Sequence, residues 1–353
     1  MGLLQRFARP EFRTTGDAPD SPSEEERREA ALAEERAATS APPTGADLGG
    51  GSVHGSEAFS QEYTREAAVE NDAQPPPTAP APTTSAAYPQ AQQPPPEPQV
   101  KRTEIIAFAN QKGGVAKTTT TLNLAVALAE TGHRVLAVDL DPQGNLTMSQ
   151  GIDPDSVEKS MYDVLVHDIS IREVIRKREI DVACASIDLA GAEIAMSTKI
   201  GRERSLEKAL RPVLEDYDFV CIDTPPSLGL LTINALTAAG KVIVPVQCEY
   251  LSMRGLIQLQ NTLSMIREEL NPNVEIEGIL PTLVDSRTVH AKEAIEILEE
   301  NFGDRVFATR IRKTVRFAEA PVKGTSVLKY EPNGVAAESY RDLAKEVLAN
   351  GRR

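Results

Sequence analysis

ANQKGGVAKTTTTLNL (residues 109–124) stands between an apolar run, EIIAFA (104–109), and a helical one. It is built like a phosphate-binding loop, yet the pattern G-x-x-x-x-G-K-[ST] asks for glycine where this chain has Gln111 and Ala116. The working parts are otherwise present. Gly113 and Gly114 let the backbone of Lys112, Val115 and Thr119 turn its N–H groups inward, and a strand-to-helix junction is where such a nest holds phosphate oxygens. Lys117 supplies a point charge for the outer phosphates, and the Thr118 hydroxyl suits Mg²⁺. A plain glycine-rich turn is the bland alternative, and two lysines are an odd choice for one.

Working outward, RVLAVDL (134–140), DFVCID (218–223), KVIVPVQ (241–247) and EIEGILPTL (275–283) are apolar on both faces, as buried parallel strands are. Helical stretches separate them: TTTTLNLAVALAE after the loop, SLGLLTINALTAA after the third run, and SMRGLIQLQNTLSMIREEL after the fourth. VAAESYRDLAKEVLAN reads as a closing helix. Alternation of this kind predicts a three-layer α/β fold, P-loop NTPase-like, with a mostly parallel sheet flanked by helices.

Two of these strands end in carboxylates. In VLAVDLDPQGN (135–145), Asp139 and Asp141 are two apart and share one side of an extended chain until Pro142 ends it. FVCIDTPPSLG (219–229) ends its apolar run at Asp223, a Walker B arrangement whose carboxylate would hold Mg²⁺ through water. Asp residues that merely cap the following turns are the alternative at both places.

K-G-G-V-x-K-T-T-T resembles the deviant Walker A loop of the ParA/MinD group of ATPases, and the resemblance covers residues 103–350. In that group the first glycine is dispensable, and a signature lysine stands where Lys112 stands. The resemblance implies ATP and Mg²⁺ as cofactors, with Thr118, Asp139 and Asp223 about the metal. It makes Asp141, with Lys112 and Lys117, catalytic, Asp141 acting on the attacking water. Ala116 departs from the group's usual glycine; the intact surroundings predict that the loop tolerates the methyl. Thr314 falls in Arg312-Lys313-Thr314, where the group commonly has the P-R-N that flanks adenine. PVQCEYLSMRGL (245–256) and VRFAEAPVKGTSV (315–327) are similar to segments of ParA/Soj partition proteins. That resemblance implies an ATP-dependent homodimer that binds DNA without sequence preference, is stimulated by a ParB-type partner, and resides on the nucleoid in the cytoplasm. Its rivals are an ATPase that positions a MinD-like or polar complex, and a hydrolysis-weak nucleotide-gated scaffold.

The whole chain bounds these expectations. Its 353 residues carry a formal charge of -14, which excludes a generally basic nucleic-acid binder and leaves room for a local patch. The cations gather late: Arg305, Arg310, Arg312, Lys313, Arg316 and Lys323, with Arg287 earlier. Arg287 and Arg316 match positions that the resemblance ties to DNA, and Lys313 lies between them and the loop above. Residues 310–316 are expected as an exposed turn after a strand. Residues 1–100 hold 15 of the 25 prolines and read as a disordered acidic, Pro-rich extension to a 101–353 ATPase domain. Within it, residues 22–38 could form a solvated helix, and MGLLQRFARPEF (1–12) reads as an ordinary floppy terminus, with a partner-docking or membrane-surface peptide as the alternative. Cys184, Cys221 and Cys248 sit far apart in apolar runs and are expected as buried thiols, which argues against zinc or iron–sulfur ligation. No apolar run is long enough to span a bilayer, so a soluble intracellular protein without a transmembrane segment is expected.

Overall fold

The computed structural model describes residues 103–248, 253–285 and 287–350. The expectations placed on the N-terminal extension, its helix at 22–38 and its terminal peptide lie outside the described residues, as does part of the 245–256 segment.

Along the chain the main elements are β1 (Glu104–Phe108), α1 (Lys117–Glu130), β2 (Val135–Asp139), α2 (Asn145–Ser149), β3 (Ile175–Lys177), β4 (Asp181–Ala183), β5 (Phe219–Asp223), α3 (Leu230–Ala238), β6 (Lys241–Gln247), α4 (Met253–Glu269), β7 (Glu275–Thr282), α5 (Val289–Phe302), α6 (Arg316–Val322), α7 (Val327–Tyr330) and α8 (Val335–Asn350). The strands form one seven-stranded sheet in the order β3-β4-β2-β5-β1-β6-β7. Every pairing is parallel except β3 with β4. Strand polarity alternates side chains between two apolar layers: Ile106 and Phe108 join the cluster under α1 and α8, and Ala107 joins the other. β2 and β5 are buried along their whole length, so both faces had to be apolar.

The five expected strands and the helices after them form. β3 and β4 were not expected, because three residues are too few for a period-two pattern to register. The exposed Arg176 and Lys177 at this edge discourage a further strand from pairing. α5 also had no counterpart among the expected helices. Before the late cations, the expected strand is reduced to two isolated bridges, Ile279 to Val306 and Val284 to Arg312. Of the expected exposed turn, Arg312, Lys313 and Val315 are exposed outside the named helices and strands, while Arg316 begins helix α6.

α8 buries Tyr340, Leu343, Ala344 and Val347 in the layer that holds α1, and the Tyr340 hydroxyl lies 3.4 Å from Thr120 Oγ1. Glycine is required where α6 leads into α7. Gly324 has φ +65°, and a Cβ there would lie 2.8 Å from Gly151 Cα. Gly324→Ala should therefore lower stability by about 2 kcal/mol in denaturant unfolding. Gly240→Ala is the control, because nothing lies within 4 Å of its would-be Cβ and its φ is not positive; that change should stay within about 0.5 kcal/mol. Equal effects of the two would mean that the Gly151–Gly324 approach is not tight in solution.

Candidate nucleotide site

The loop after β1 lies at the carboxyl ends of β1, β2 and β5, where open α/β sheets bind ligands. Asn110 anchors its start: the side-chain amide donates to the Pro245 carbonyl at 2.7 Å, and Oδ1 accepts from Lys112 N at 3.0 Å. Gly114 has φ +72°, with open space where a Cβ would be. Ala116, the N-cap of α1, has φ 66° and ψ 34°, with no side chain capping the helix. The methyl therefore sits in left-handed backbone, where an L-residue is strained by about 1 kcal/mol or more. Lys117 Nζ reaches back to the Lys112 carbonyl at 3.3 Å. Burial holds the Lys117 amine below its ordinary pKa, against the opposing pull of Asp223 and Asp141.

Beneath the loop, register places Asp139 of β2 beside Asp223 of β5, and Asp223 beside Phe108 of β1. Both carboxylates are fully buried. Asp139 is spent on the chain: Oδ1 accepts from Asp141 N at 3.2 Å, while Oδ2 accepts from Thr147 N at 2.9 Å and Thr147 Oγ1 at 2.7 Å. Its geometry suits holding Asp141 and α2 in place more than direct contact with a metal. Burial raises its pKa to about 6. Burial likewise raises Asp223 well above the usual carboxylate range, and the neighbouring Asp139 adds to it. Asp223 Oδ1 accepts from Thr121 Oγ1 at 3.4 Å, and the nearby Thr118 hydroxyl favours the charged form of this carboxylate. Asp223 Oδ2 is buried without a hydrogen-bond partner. An orphaned carboxylate oxygen beside a threonine hydroxyl fits a water-bridged Mg²⁺. Among the described residues no three His, Cys, Asp or Glu side chains form a metal cage, so a cation here would draw most of its ligands from phosphate and water.

A cleft of about 490 Å³ opens over these groups. Gly113, Gly114, Ala116, Lys117, Thr118, Thr119 and Asp141 line it. Val115 is buried under the loop, and Lys112 stands at its front, half-buried. Thr314 is not among the cleft's walls. It lines a separate pocket of about 360 Å³, and its hydroxyl accepts from Arg316 N at 3.3 Å. Phe317 lies between the two pockets and lines both. The late cations gather elsewhere: Lys313 N donates to the Val284 carbonyl at 3.3 Å, which sets the turn carrying Arg287 beside the segment carrying Lys313 and Arg316. Each arginine is paired, Arg287 with Asp285 at 2.8 Å and Arg316 with Glu319 at 2.7 Å and Glu331 at 3.3 Å.

With this geometry in view, similarity to known proteins decides the family. The sporulation initiation inhibitor protein Soj of Bacillus subtilis (strain 168) is 49% identical over 251 residues, covering 70% of this chain and 99% of that one. The chain belongs to the ParA/Soj family of chromosome-partitioning proteins. The chromosome partitioning protein ParA of Myxococcus xanthus (strain DK1622) is 42% identical over 247 residues, 69% of this chain and 87% of that one. A family described as an AAA domain matches residues 103–276. Among solved structures, cobyrinic acid a,c-diamide synthase from Mycobacterium smegmatis, with a bound ATP analog and magnesium, is 41% identical with a TM-score of 0.64, covering 71% of this chain and 96% of that one. The cell division ATPase MinD of Pyrococcus furiosus shares the fold at 24% identity and a TM-score of 0.58, covering 70% of this chain and 98% of that one.

Other walls of this ParA/Soj cleft escaped the sequence reading. Asn123, Gln143, Leu283, Phe317 and Thr325 line it. Asn123 had a visible signal, an amide inside the apolar stretch LNLAVAL; it donates to the Thr119 carbonyl at 2.7 Å and accepts from Val327 N at 2.9 Å, tying α1 to α7. Leu283, Phe317 and Thr325 come from distant segments that only the tertiary fold joins.

The buried carboxylates make a pH prediction. Both hold their protons more tightly folded than unfolded, so their stabilising contribution is full at low pH and is lost as pH rises; for Asp139 the loss runs from about 4 through about 6. Asp223→Asn keeps the shape and removes one charge. Without nucleotide, the substitution should raise Tm at about pH 7.5 by at least about 2 °C more than at about pH 4.5. An identical shift at both pH values would show that ionisation of Asp223 is not the source of the strain.

Proposed function

We propose that residues 103–350 form an ATP-dependent dimerisation switch for partitioning a chromosome or plasmid. One observation carries the reading: the phosphate loop and Asp141 line a single cleft, and Asp223, with one oxygen unmet, lies buried at the strand end beneath that loop. The likeness to Soj and ParA, and a bound ATP analog and magnesium in a relative of this fold, support it.

ATP enters with its phosphates on the N–H groups of the loop and its outer charge against Lys117. Thr118 and Asp223 would hold Mg²⁺, the carboxylate through water, and the ion would supply positive charge against the phosphates. Asp141, fixed by the bond from Gln143 N to its Oδ1 at 3.0 Å, orients a water in line with the terminal phosphorus. The water oxygen bonds to that phosphorus as the bridging P–O bond breaks. ADP leaves with the bridging oxygen, and the water's proton passes to Asp141 or to the phosphate released. Positioning and charge stabilisation supply the rate. Two subunits close over two nucleotides, the Lys112 of each reaching the other's phosphates. The closed dimer retains bulk DNA through Arg287, Lys313 and Arg316, which places it on the nucleoid in the cytoplasm. A ParB-type protein stimulates hydrolysis and releases it.

Lys117→Ala should abolish ATP binding by isothermal titration, because the loop loses its charge on the outer phosphates; near-normal affinity would sink the phosphate-loop assignment. Arg316→Glu should spare ATP binding and weaken ATP-dependent DNA retention, the loss shrinking as salt rises. Removing one cation from a DNA phosphate lowers the magnitude of the log K against log [salt] slope by about 0.9. DNA retention that is the same with ATP, with ADP and without nucleotide would count against the switch itself.

A further inference from the structure

We infer that Thr282 is a positioning residue for the phosphate loop, holding Ala116 in its left-handed conformation through the carbonyl of Val115. Thr282 ends β7, is fully buried, and donates from Oγ1 to the Val115 carbonyl at 3.0 Å across 167 residues of sequence. That carbonyl and the Ala116 N–H belong to one planar peptide unit. Its direction is therefore set by ψ of Val115 and φ of Ala116 together. Fixing the carbonyl fixes the side of the loop toward which the Ala116 N–H points.

The constraint is needed because of what occupies position 116. Glycine adopts a positive φ without a Cβ clash and would hold the turn unaided. Alanine at φ 66° is displaced from its preferred basin, and no side chain caps α1 at this position. A strained conformation persists only where its surroundings over-determine it. Here the surroundings supply a hydroxyl on a β-branched residue whose χ1 freedom is small, fully buried at the end of the edge strand β7. Val115 is itself buried, so its side chain resists rotation of the same peptide. The next residue of β7's exit, Leu283, has φ 53° and lines the cleft with Ala116. Two left-handed non-glycine residues thus sit on the cleft, joined through one hydrogen bond. This deepens the nucleotide reading, on which the affinity part of the test depends; the conformational part does not.

A double-mutant cycle separates positioning from simple satisfaction of a buried carbonyl. Thr282→Val removes the hydroxyl at nearly constant shape, and Ala116→Gly removes the need for it. Binding of a fluorescent ATP analog should weaken about tenfold in Thr282→Val, and by less than about twofold when the same change is made on Ala116→Gly. Thr282→Ser, which keeps the donor, should stay within about twofold of the parent. In the nucleotide-free proteins the fall in Tm from Thr282→Val should likewise be smaller on the glycine background. Equal losses on both backgrounds, in affinity and in Tm, would overturn the inference. Should the parent protein bind no ATP analog, the nucleotide reading fails, and the Tm cycle alone still decides whether Thr282 holds Ala116.

Discussion

Two carboxylates stand side by side where β2 and β5 end, buried away from solvent. A charge in such a place is costly unless something meets it, and two like charges are costlier still. Much of the surrounding chain is arranged to meet them. Thr147 spends both its N–H and its hydroxyl on Asp139, and that bond sets where α2 begins. Thr121 and Thr118 on the first turns of α1 turn toward Asp223. Lys117 lies buried in the same field, its charge disfavoured by burial and favoured by Asp223 and Asp141. The threonine run after Lys117 is thus part of the electrostatics of the sheet's edge as well as helix. What is left over is one oxygen of Asp223, and an oxygen left unmet in the centre of a protein is a place for a ligand.

The same packing weighs between the rival activities. An amphipathic helix can lie on a membrane surface only with its apolar face free. In α8 that face is committed: Ala337, Tyr340, Leu343, Ala344 and Val347 are buried in the layer under α1. Among the described residues no helix is long and apolar enough to cross a membrane. A cysteine that acts as a nucleophile has its thiol pKa lowered. Burial pushes the thiols of Cys184 and Cys248 up to about 11 and that of Cys221 higher, the reverse of activation.

The sheet was legible because its inner strands are apolar on both faces, a pattern that few other structures produce. KVIVPVQ coincides with β6 from end to end. The phosphate loop and the carboxylates at the ends of β2 and β5 were legible for a related reason, since a polar group that ends a buried strand has nowhere to go except the sheet's carboxyl edge. β3 and β4 were not, because three residues carry no period. Nor was the conformation of Ala116. Its neighbours fix the residue types in the loop, whereas its φ depends on a hydroxyl that arrives from β7. Thr314 shows the limit of carrying a role by position alone: its hydroxyl serves the first turn of α6, and the wall shared with the cleft is Phe317.

An acidic chain that meets DNA must gather its cations locally and keep them from being neutralised by its own surplus of carboxylates. Here Arg287 and Arg316 are each paired with carboxylates. Arg287 and Asp285 form two parallel bonds at 2.9 and 2.8 Å, and Arg287 holds the Asp285 carboxyl down to about 2, so that pair stays ionised across the physiological range. Arg316 stands between Glu319 and Glu331. Exposed pairs of this kind add little to stability, so they are cheap to exchange for phosphate. Each exchange nonetheless leaves a carboxylate near the DNA backbone, and a single subunit offers a poor surface for it. On the proposed reading, dimerisation would double the cations while the same DNA segment fixed their register, and avidity would multiply what one subunit cannot supply. A surface that is weak alone and effective in pairs makes DNA retention depend on whatever closes the pair, which on the reading above is the nucleotide in the cleft.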